Sequence, residues 1–395
     1  MKWNQATLSE LTTLIKRGVS PKYVSELGVP IINQRCIRDN TINFDLARLS
    51  SKAKKITEVK FLRVGDTLVN STGVGTLGRT AYVARLNEPT SADTHVTIVR
   101  PDKSKVNEKY LSLYLNSKED IIENMGKGAT GQTELSASDL AQLKVLYPES
   151  IESQKQIADI LNDYDNLIEN NLKRIALLKQ AAQNIYEEWF VNMHFPGHEK
   201  TAIDEVNGLP EGWTSINLYD FAEVQMGYPF KAKDFNDEMH GIPAVRIRDI
   251  PNNWTKTYTT ERVNQKYFIS CGDILIGMDG FFHLDIWGGQ ENALLVQRVC
   301  RIRAIKKELQ GYLLQALREP IKYFERTISG ATVAHLGTKH LKEIFITVPN
   351  DSLLENLSIF EGIKSQIILL NKQNRKLKEA RDILLPRLMN QTIKV

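Results

Sequence analysis

The sequence predicts an α+β fold in which two mixed α/β globules alternate with two long helices as an internal repeat. Three observations lead there. A set of short anchors recurs in one order in both halves of the chain. Each half ends in a long helix-forming stretch that carries an apolar seam. The remainder alternates short β-forming runs with turns.

The first globule is assigned residues 1–150. Its runs "KITEVKFLRVGDTLV", "TAYVARL" and "HVTIVRP" read as strands, and Glu108 to Asn116 reads as a helix. Between the first two runs lies "NSTGVGTLGRT", Asn70 to Thr80, with the Gly73-x-Gly75-x-x-Gly78 spacing of a dinucleotide-binding turn. Such a turn needs a helix starting on its last glycine, so that phosphate meets a helix N-terminus. Here the β-forming "RTAYVAR" follows, closed by Asn87-Glu88-Pro89. A phosphate loop fails on the same missing helix, and on Arg79 where lysine belongs. The segment is expected to be a hairpin turn whose glycines permit positive φ and close backbone approach.

Residues 151–195 are assigned to the first long helix. Leu161, Tyr164, Ile168, Asn171, Ile175, Leu178, Ala182, Ile185 and Trp189 advance in steps of three and four, which is a coiled-coil seam.

The second globule, residues 196–350, follows "HFPGHEKTAIDEVNGLPEGW", read as a linker. It repeats the first. Trp3 and Leu8 recur as Trp213 and Leu218, and "GVP" from Gly28 recurs as "GIP" from Gly241. Both of the latter lead to an Arg-Asp pair, Arg38-Asp39 and Arg248-Asp249. "GDTLVNSTG" from Gly65 becomes "GDILIGMDG" from Gly272, "GAT" occurs at Gly128 and Gly330, and the copies close on Pro148 and Pro349. "VQRVCRIRA" and "IFITVP" read as strands and Glu308 to Leu317 as a helix. Past Gly280 the second copy reads "FFHLDIW" instead of the glycine-rich tip, as suits a loop with a kept scaffold and a varied end.

Residues 351–395 hold the second long helix. Its seam is Phe360, Ile363, Ile367, Leu370, Asn374, Leu377, Arg381, Leu384 and Leu388, offset from the first by a constant 199. Glu361-Gly362 and Pro386 predict a late start and a bend or end near Leu385. Asn171 and Asn374 are expected to set the register of the seam, because a buried polar group penalises every pairing in which it lacks a partner.

At 395 residues the chain is long enough for two or three domains. No apolar run approaches the ~18 residues of a membrane span, and Met1-Lys2-Trp3-Asn4 begins no signal peptide, so a cytoplasmic protein without a membrane partner is expected. Cys36, Cys271 and Cys300 suit neither a disulfide framework nor a zinc site. Lys+Arg 51 against Asp+Glu 47 permits nucleic-acid binding without demanding it. There is no His-Glu-x-x-His, Gly-x-Ser-x-Gly or Asn-Pro-Pro-aromatic motif. His194-x3-His198 has metal-ligand spacing, yet Pro196 and Gly197 break any helix that would align the rings. No catalytic and no metal-ligating residue is expected.

Two variable globules, each followed by a long helix, resemble the specificity subunit of type I restriction–modification enzymes over the whole chain. "IYEEWFV" at Ile185 to Val191, "ARDILLPRLMNQTI" at Ala380 to Ile393 and "LPEGW" at Leu209 to Trp213 carry the likeness, with the paired "GD" and "GAT" anchors. Asn390 stands where glycine usually follows in the tail. The resemblance implies that each globule is a target recognition domain reading half of a split, asymmetric sequence in double-stranded DNA. It also implies that the helices pair as an antiparallel coiled coil about a pseudo-two-fold axis, and dock methyltransferase (modification) subunits. S-adenosylmethionine, ATP and Mg²⁺ would then belong to those subunits and to restriction/translocase subunits, with no cofactor on this chain. A helix of ~36 residues spans roughly 54 Å, enough to set two readers one or more DNA turns apart.

Base reading favours arginine for guanine and amides for adenine, on loops. The candidate DNA-binding residues are Arg35, Arg38, Asn70, Ser71, Thr72, Arg79, Thr130 and Gln132 in the first copy, and Arg246, Arg248, Asp279, His283, Thr332, His335 and Lys339 in the second. For each, the plain alternative is a solvated or scaffold-bonding side chain. Arg38 and Arg248, read as recurring, lean toward phosphate contact or structure. The basic run Lys372, Arg375, Lys376 and Lys378 reads as a solvated helix face, with partner docking second. The competing functions are a protein-binding scaffold, and a self-contained methyltransferase or nuclease with unrecognised motifs.

Overall fold

The computed structural model describes residues 2–38, 40–128, 133–328 and 334–393. The chain divides into two compact units, Met1–Asn166 with Lys378–Val395, and Leu167–Leu377.

In the first unit Trp3–Thr7 pairs antiparallel with Lys144–Pro148, Trp3 opposite Pro148, which explains why those anchors bracket the copy. The main sheet orders Thr12–Arg17, Val96–Pro101, Thr67–Asn70 and Thr80–Tyr82, all antiparallel. A second sheet sets Ser91–Ala92 parallel to Gly28–Ile32, followed by Arg48–Ser51 and Tyr23–Val24. The helix Glu108–Asn116 lies where it is predicted, its first turn capped by Asn107, whose side chain accepts from the Tyr110 N–H at 2.9 Å. Of the run "KITEVKFLRVGDTLV" only Thr67–Asn70 is a long strand. Gly65 at φ +101° and the Asp66 carboxylate, which accepts the Arg63 N–H at 2.8 Å, make a turn there, and extended pairing cannot pass through it.

The second unit repeats this plan. Thr214–Asn217 pairs with Phe345–Val348. The main sheet orders Ala222–Met226, Val299–Ala304, Ile274–Gly277 and Leu284–Ile286, and Ala293–Leu295 lies parallel to Ile242–Val245. Its helix, Gln310–Thr327, runs ten residues past the expected end at Leu317 and through Pro320. Buried Ile321 and Phe324 continue the apolar face and outweigh the single bond that Pro320 removes. The expected linker is folded as well. Phe195 and Trp213 are buried with ring centroids 4.7 Å apart, and Phe190, Tyr312 and Phe360 belong to the same core. Aromatic residues at both ends of the segment pull it onto the globule.

Both long helices form and contribute to both units. The first is Ile151–Tyr186, widening into a π turn at Glu187–Val191. The second is Ser358–Met389, so neither Gly362 nor Pro386 delimits it. A proline inside a helix costs about 3 kcal/mol. Here the turn after it buries Leu388 and Met389 in the first unit's core, at roughly 1.5–3 kcal/mol each, and the helix continues. Within the second unit Asn171 meets Asn374, and Ile175 packs with Ile367 and Leu370. Within the first, Asp165 meets Arg381, and Leu161 shares a core with Leu384 and Leu388. Rising numbers on one helix meet falling numbers on the other, so the pairing is antiparallel.

Candidate nucleic-acid interface

In the first unit the glycine-rich segment is the turn between the antiparallel strands Thr67–Asn70 and Thr80–Tyr82. Gly73, Gly75 and Gly78 all take positive φ. At Gly78 a side chain would lie 2.8 Å from the Glu119 carbonyl oxygen, so the close approach requires glycine. No helix follows, and the segment is no nucleotide loop. The residue that organises it is Ser71. Its N–H donates to the His95 carbonyl at 2.8 Å, and its own carbonyl accepts the Leu135 N–H at 2.8 Å. Three outward positions are thereby gathered: Thr72, His95 and Glu134. The Thr72 hydroxyl lies 2.9 Å from His95 Nδ1 and 3.0 Å from Gln34 Oε1, while Glu134 pairs with Arg17.

The second unit builds the same framework. Met278 N–H donates to the Arg298 carbonyl at 2.9 Å, and the Met278 carbonyl accepts the Leu336 N–H at 2.8 Å. The three outward positions are now Asp279, Arg298 and His335. His335 Nδ1 lies 2.6 Å from Asp279 Oδ1, Arg298 Nε 3.3 Å from Asp279 Oδ2, and Arg298 Nη1 3.1 Å from His335 Nδ1. Behind each framework the "GD" anchor closes a turn and holds an arginine. Asp66 takes two guanidinium bonds from Arg100, and Asp273 two from Arg303. Beside each cluster an apolar residue stands at the loop tip, Val74 at 75% exposure and Phe281 at 76%.

Two charged clefts flank the first cluster. One is lined by Lys16, Arg17, Lys60 and Lys127 with Glu134 and Asp139. The other is lined by Tyr23, Asn33, Gln34, Arg35, Arg48 and His95 with Asp93. Burial raises the Asp93 carboxyl above its ordinary value, against a hydrogen bond from the His95 N–H. Arg48 stacks 3.4 Å above the Tyr23 ring, which fixes its guanidinium.

The candidate residues scatter across these features. Thr72, Asp279 and His335 sit in the two clusters. Asn70 and Ser71 do not face outward: both are fully buried, Asn70 bonding to the Gln34 carbonyl at 3.1 Å and Ser71 to the Thr97 hydroxyl at 2.5 Å. They build the loop and leave the set of readers. Arg79 donates to the Gly75 carbonyl at 2.6 Å and braces the tip. Arg246 is half-buried, its guanidinium 4.3 Å over Phe235, and burial lowers its pKa. Arg35, Arg38, Arg248 and Lys339 are exposed and His283 is half-buried. Thr130, Gln132 and Thr332 lie outside the described residues.

Strand register also corrects the repeat. Ile32 pairs with Ala92, and Val245 with Leu295, in the parallel pairs. One residue further, Asn33 corresponds to Arg246, so the mate of Arg248 is Arg35, not Arg38. Each lies in a 3₁₀ turn, Gln34–Cys36 or Ile247–Asp249. The conspicuous Arg-Asp dipeptide misleads because Arg38 lies past the 3₁₀ turn that the two copies share, whereas Arg248 lies inside it. Sequence reasoning also missed His95, Arg298 and Glu134. Their only sequence signal is position: His95 and Arg298 each stand one residue before the strand that starts at Val96 or Val299.

Comparison with known proteins agrees with this architecture. A family model described as the type I restriction modification DNA specificity domain matches residues 1–180 and 210–379. The type I restriction enzyme EcoBI specificity subunit of Escherichia coli is 30% identical over 197 residues, 49% of this chain and 41% of that protein. The type I restriction enzyme HindI specificity subunit of Haemophilus influenzae is 22% identical over 477 aligned positions, 98% of this chain and 99% of the relative. The chain thus spans less than half of the EcoBI subunit and nearly all of the HindI one. Among solved structures, the S subunit of a type I restriction-modification system from M. genitalium superposes with a TM-score of 0.58 at 17% identity, covering 98% of this chain and 96% of that one. That likeness shows a shared fold.

Proposed function

The chain belongs to the type I restriction–modification DNA specificity family, and from that premise we propose that it is the non-catalytic subunit that reads the DNA target. Residues 1–150 and 196–350 act as target recognition domains, and residues 151–195 and 351–395 as the helical spacer. Each domain reads one half of a split, asymmetric sequence. Methyltransferase subunits dock on the long helices, where Leu172, Leu177 and Leu369 are about half exposed or more. S-adenosylmethionine, ATP and Mg²⁺ act on the methyltransferase and restriction/translocase subunits.

One observation carries this reading. A single hydrogen-bonded framework occurs in both units and bears different outward side chains, Thr72, His95 and Glu134 in one and Asp279, Arg298 and His335 in the other. Identical scaffolds with unlike tips suit the recognition of two unlike half-sites. A protein-binding scaffold has no need of such matched clusters.

The test is methylome sequencing of cells that express the methyltransferase subunits with and without this chain. A bipartite motif, methylated only when the chain is present, is expected. Methyl transfer by the chain alone, or one uninterrupted motif, overturns the proposal.

A further inference from the structure

The cluster Asp279–Arg298–His335 has features that a scaffold contact does not need. All three side chains remain accessible, at 31%, 49% and 45% exposure. They nevertheless hold one another: Asp279 Oδ1 accepts from His335 Nδ1, Asp279 Oδ2 forms an ion pair with Arg298 Nε at 3.3 Å, and Arg298 Nη1 lies 3.3 Å from His335 Nε2. Arg298 also sits at φ +74°, a left-handed conformation that favours glycine and is uncommon for arginine. A strained backbone carrying a long cation is kept where the rest of the structure fixes it. Here the fixing is visible, since the Arg298 carbonyl accepts the Met278 N–H while Gly280 N–H donates to the Ala334 carbonyl at 3.0 Å.

On the reading of the chain as a DNA-specificity subunit, we propose that Arg298, braced by Asp279 and His335, reads a guanine in the half-site of the second unit. The chemistry is that of a planar fork of N–H donors matching the O6 and N7 acceptors of guanine in the major groove. The Asp279 carboxylate beside Nε anchors the guanidinium from one side and leaves Nη2 N–H groups for the base. In the first unit the same position is His95, with Thr72 and Gln34 beside it. The two units therefore differ in chemistry at the same point of one framework. Phosphate contact is the competing role for an accessible arginine, and it would carry no base preference.

The experiment uses the complex of the full chain with its methyltransferase subunits, on duplex pools randomised one position at a time across the methylated motif. The variant is Arg298→Gly, which deletes the guanidinium and suits the left-handed backbone, with Arg298→Lys and Asp279→Asn beside it. Arg298→Gly is expected to lose roughly 10- to 100-fold preference at one G·C pair of one half-site, with the other half unchanged. Arg298→Lys retains the charge but not the fork and loses most of that preference as well. A uniform loss over all sequences, with a smaller salt dependence, assigns Arg298 to phosphate and overturns the proposal. So does an unchanged motif, or a second half-site without a G·C pair. A wild-type complex with no base preference anywhere instead overturns the parent reading, and is seen before any variant is made.

Discussion

At the scale of single residues, the "GD" anchor shows how a repeat can be kept for reasons unrelated to base reading. Asp66 is 1% exposed, Arg100 11%, and the two make a bidentate pair behind the glycine-rich loop of the first unit. Removing one member of a buried pair leaves the other charge uncompensated, at about 3–5 kcal/mol. Asp66→Ala is therefore expected to lower unfolding free energy by about 3 kcal/mol in urea titration while leaving the methylated motif the same. In the second unit Asp273 pairs with Arg303, whose side chain is 34% exposed and keeps water as an alternative partner. Asp273→Ala should cost less than its counterpart. Equal losses, or a changed motif in either variant, would show that burial of the guanidinium does not decide the role of the anchor.

At the scale of elements, the long helices meet at the pair that the sequence singles out. Asn171 Nδ2 donates to Asn374 Oδ1 at 2.9 Å, with both residues buried among Ile175, Ile367 and Leu370. Asn171→Leu leaves Asn374 buried without its partner and should cost about 1–3 kcal/mol. The double variant Asn171→Leu with Asn374→Leu removes the orphan and should recover that loss or exceed the wild type in denaturant. A double variant no more stable than the single one would mean that the pair is not what the surrounding apolar residues are packed around. The helices were legible because a 3.5-residue period over many turns has few other solutions. Their ends were not, since Pro386 and Gly362 are local signals overruled by burial of Leu388, Met389 and Phe360. The strands Thr80–Tyr82 and Val96–Pro101 and the hairpin nature of "NSTGVGTLGRT" were legible from alternation and from the missing helix, whereas the turn at Gly65-Asp66 that breaks the preceding run was not. The two side-chain clusters were not, because Thr72, His95 and Glu134 converge through long-range bonds, above all those of the Ser71 backbone, and no spacing in the sequence records them. For the same reason Asn70 and Ser71 resembled readers: polar residues next to glycines look alike whether they face water or hold the loop.

At the scale of the whole molecule, the repeat suggests that one reader can be exchanged for another, and the packing says where the cuts must fall. An exchange of residues 196–350 leaves Ala182, Phe190, Phe195 and Phe360 behind, yet these residues share a core with Trp213 and Tyr312. Phe190 lies 5.2 Å from Trp213 and 4.9 Å from Tyr312 between ring centroids, so the cut passes through a packed aromatic cluster. Replacing one side of such a cluster leaves voids or overlaps, each worth about 1–3 kcal/mol or more. An exchange that carries residues 182–360 from a relative keeps the cluster intact and cuts inside the two helices instead. Both chimaeras should alter only the half of the methylated motif assigned to the second domain. The longer one should unfold at higher denaturant and reach higher steady-state levels in cells. Loss of both halves of the motif in the well-folded longer chimaera would mean that the domains do not read independently. Equal stability of the two chimaeras would mean that the aromatic cluster is not the seam between helix and reader.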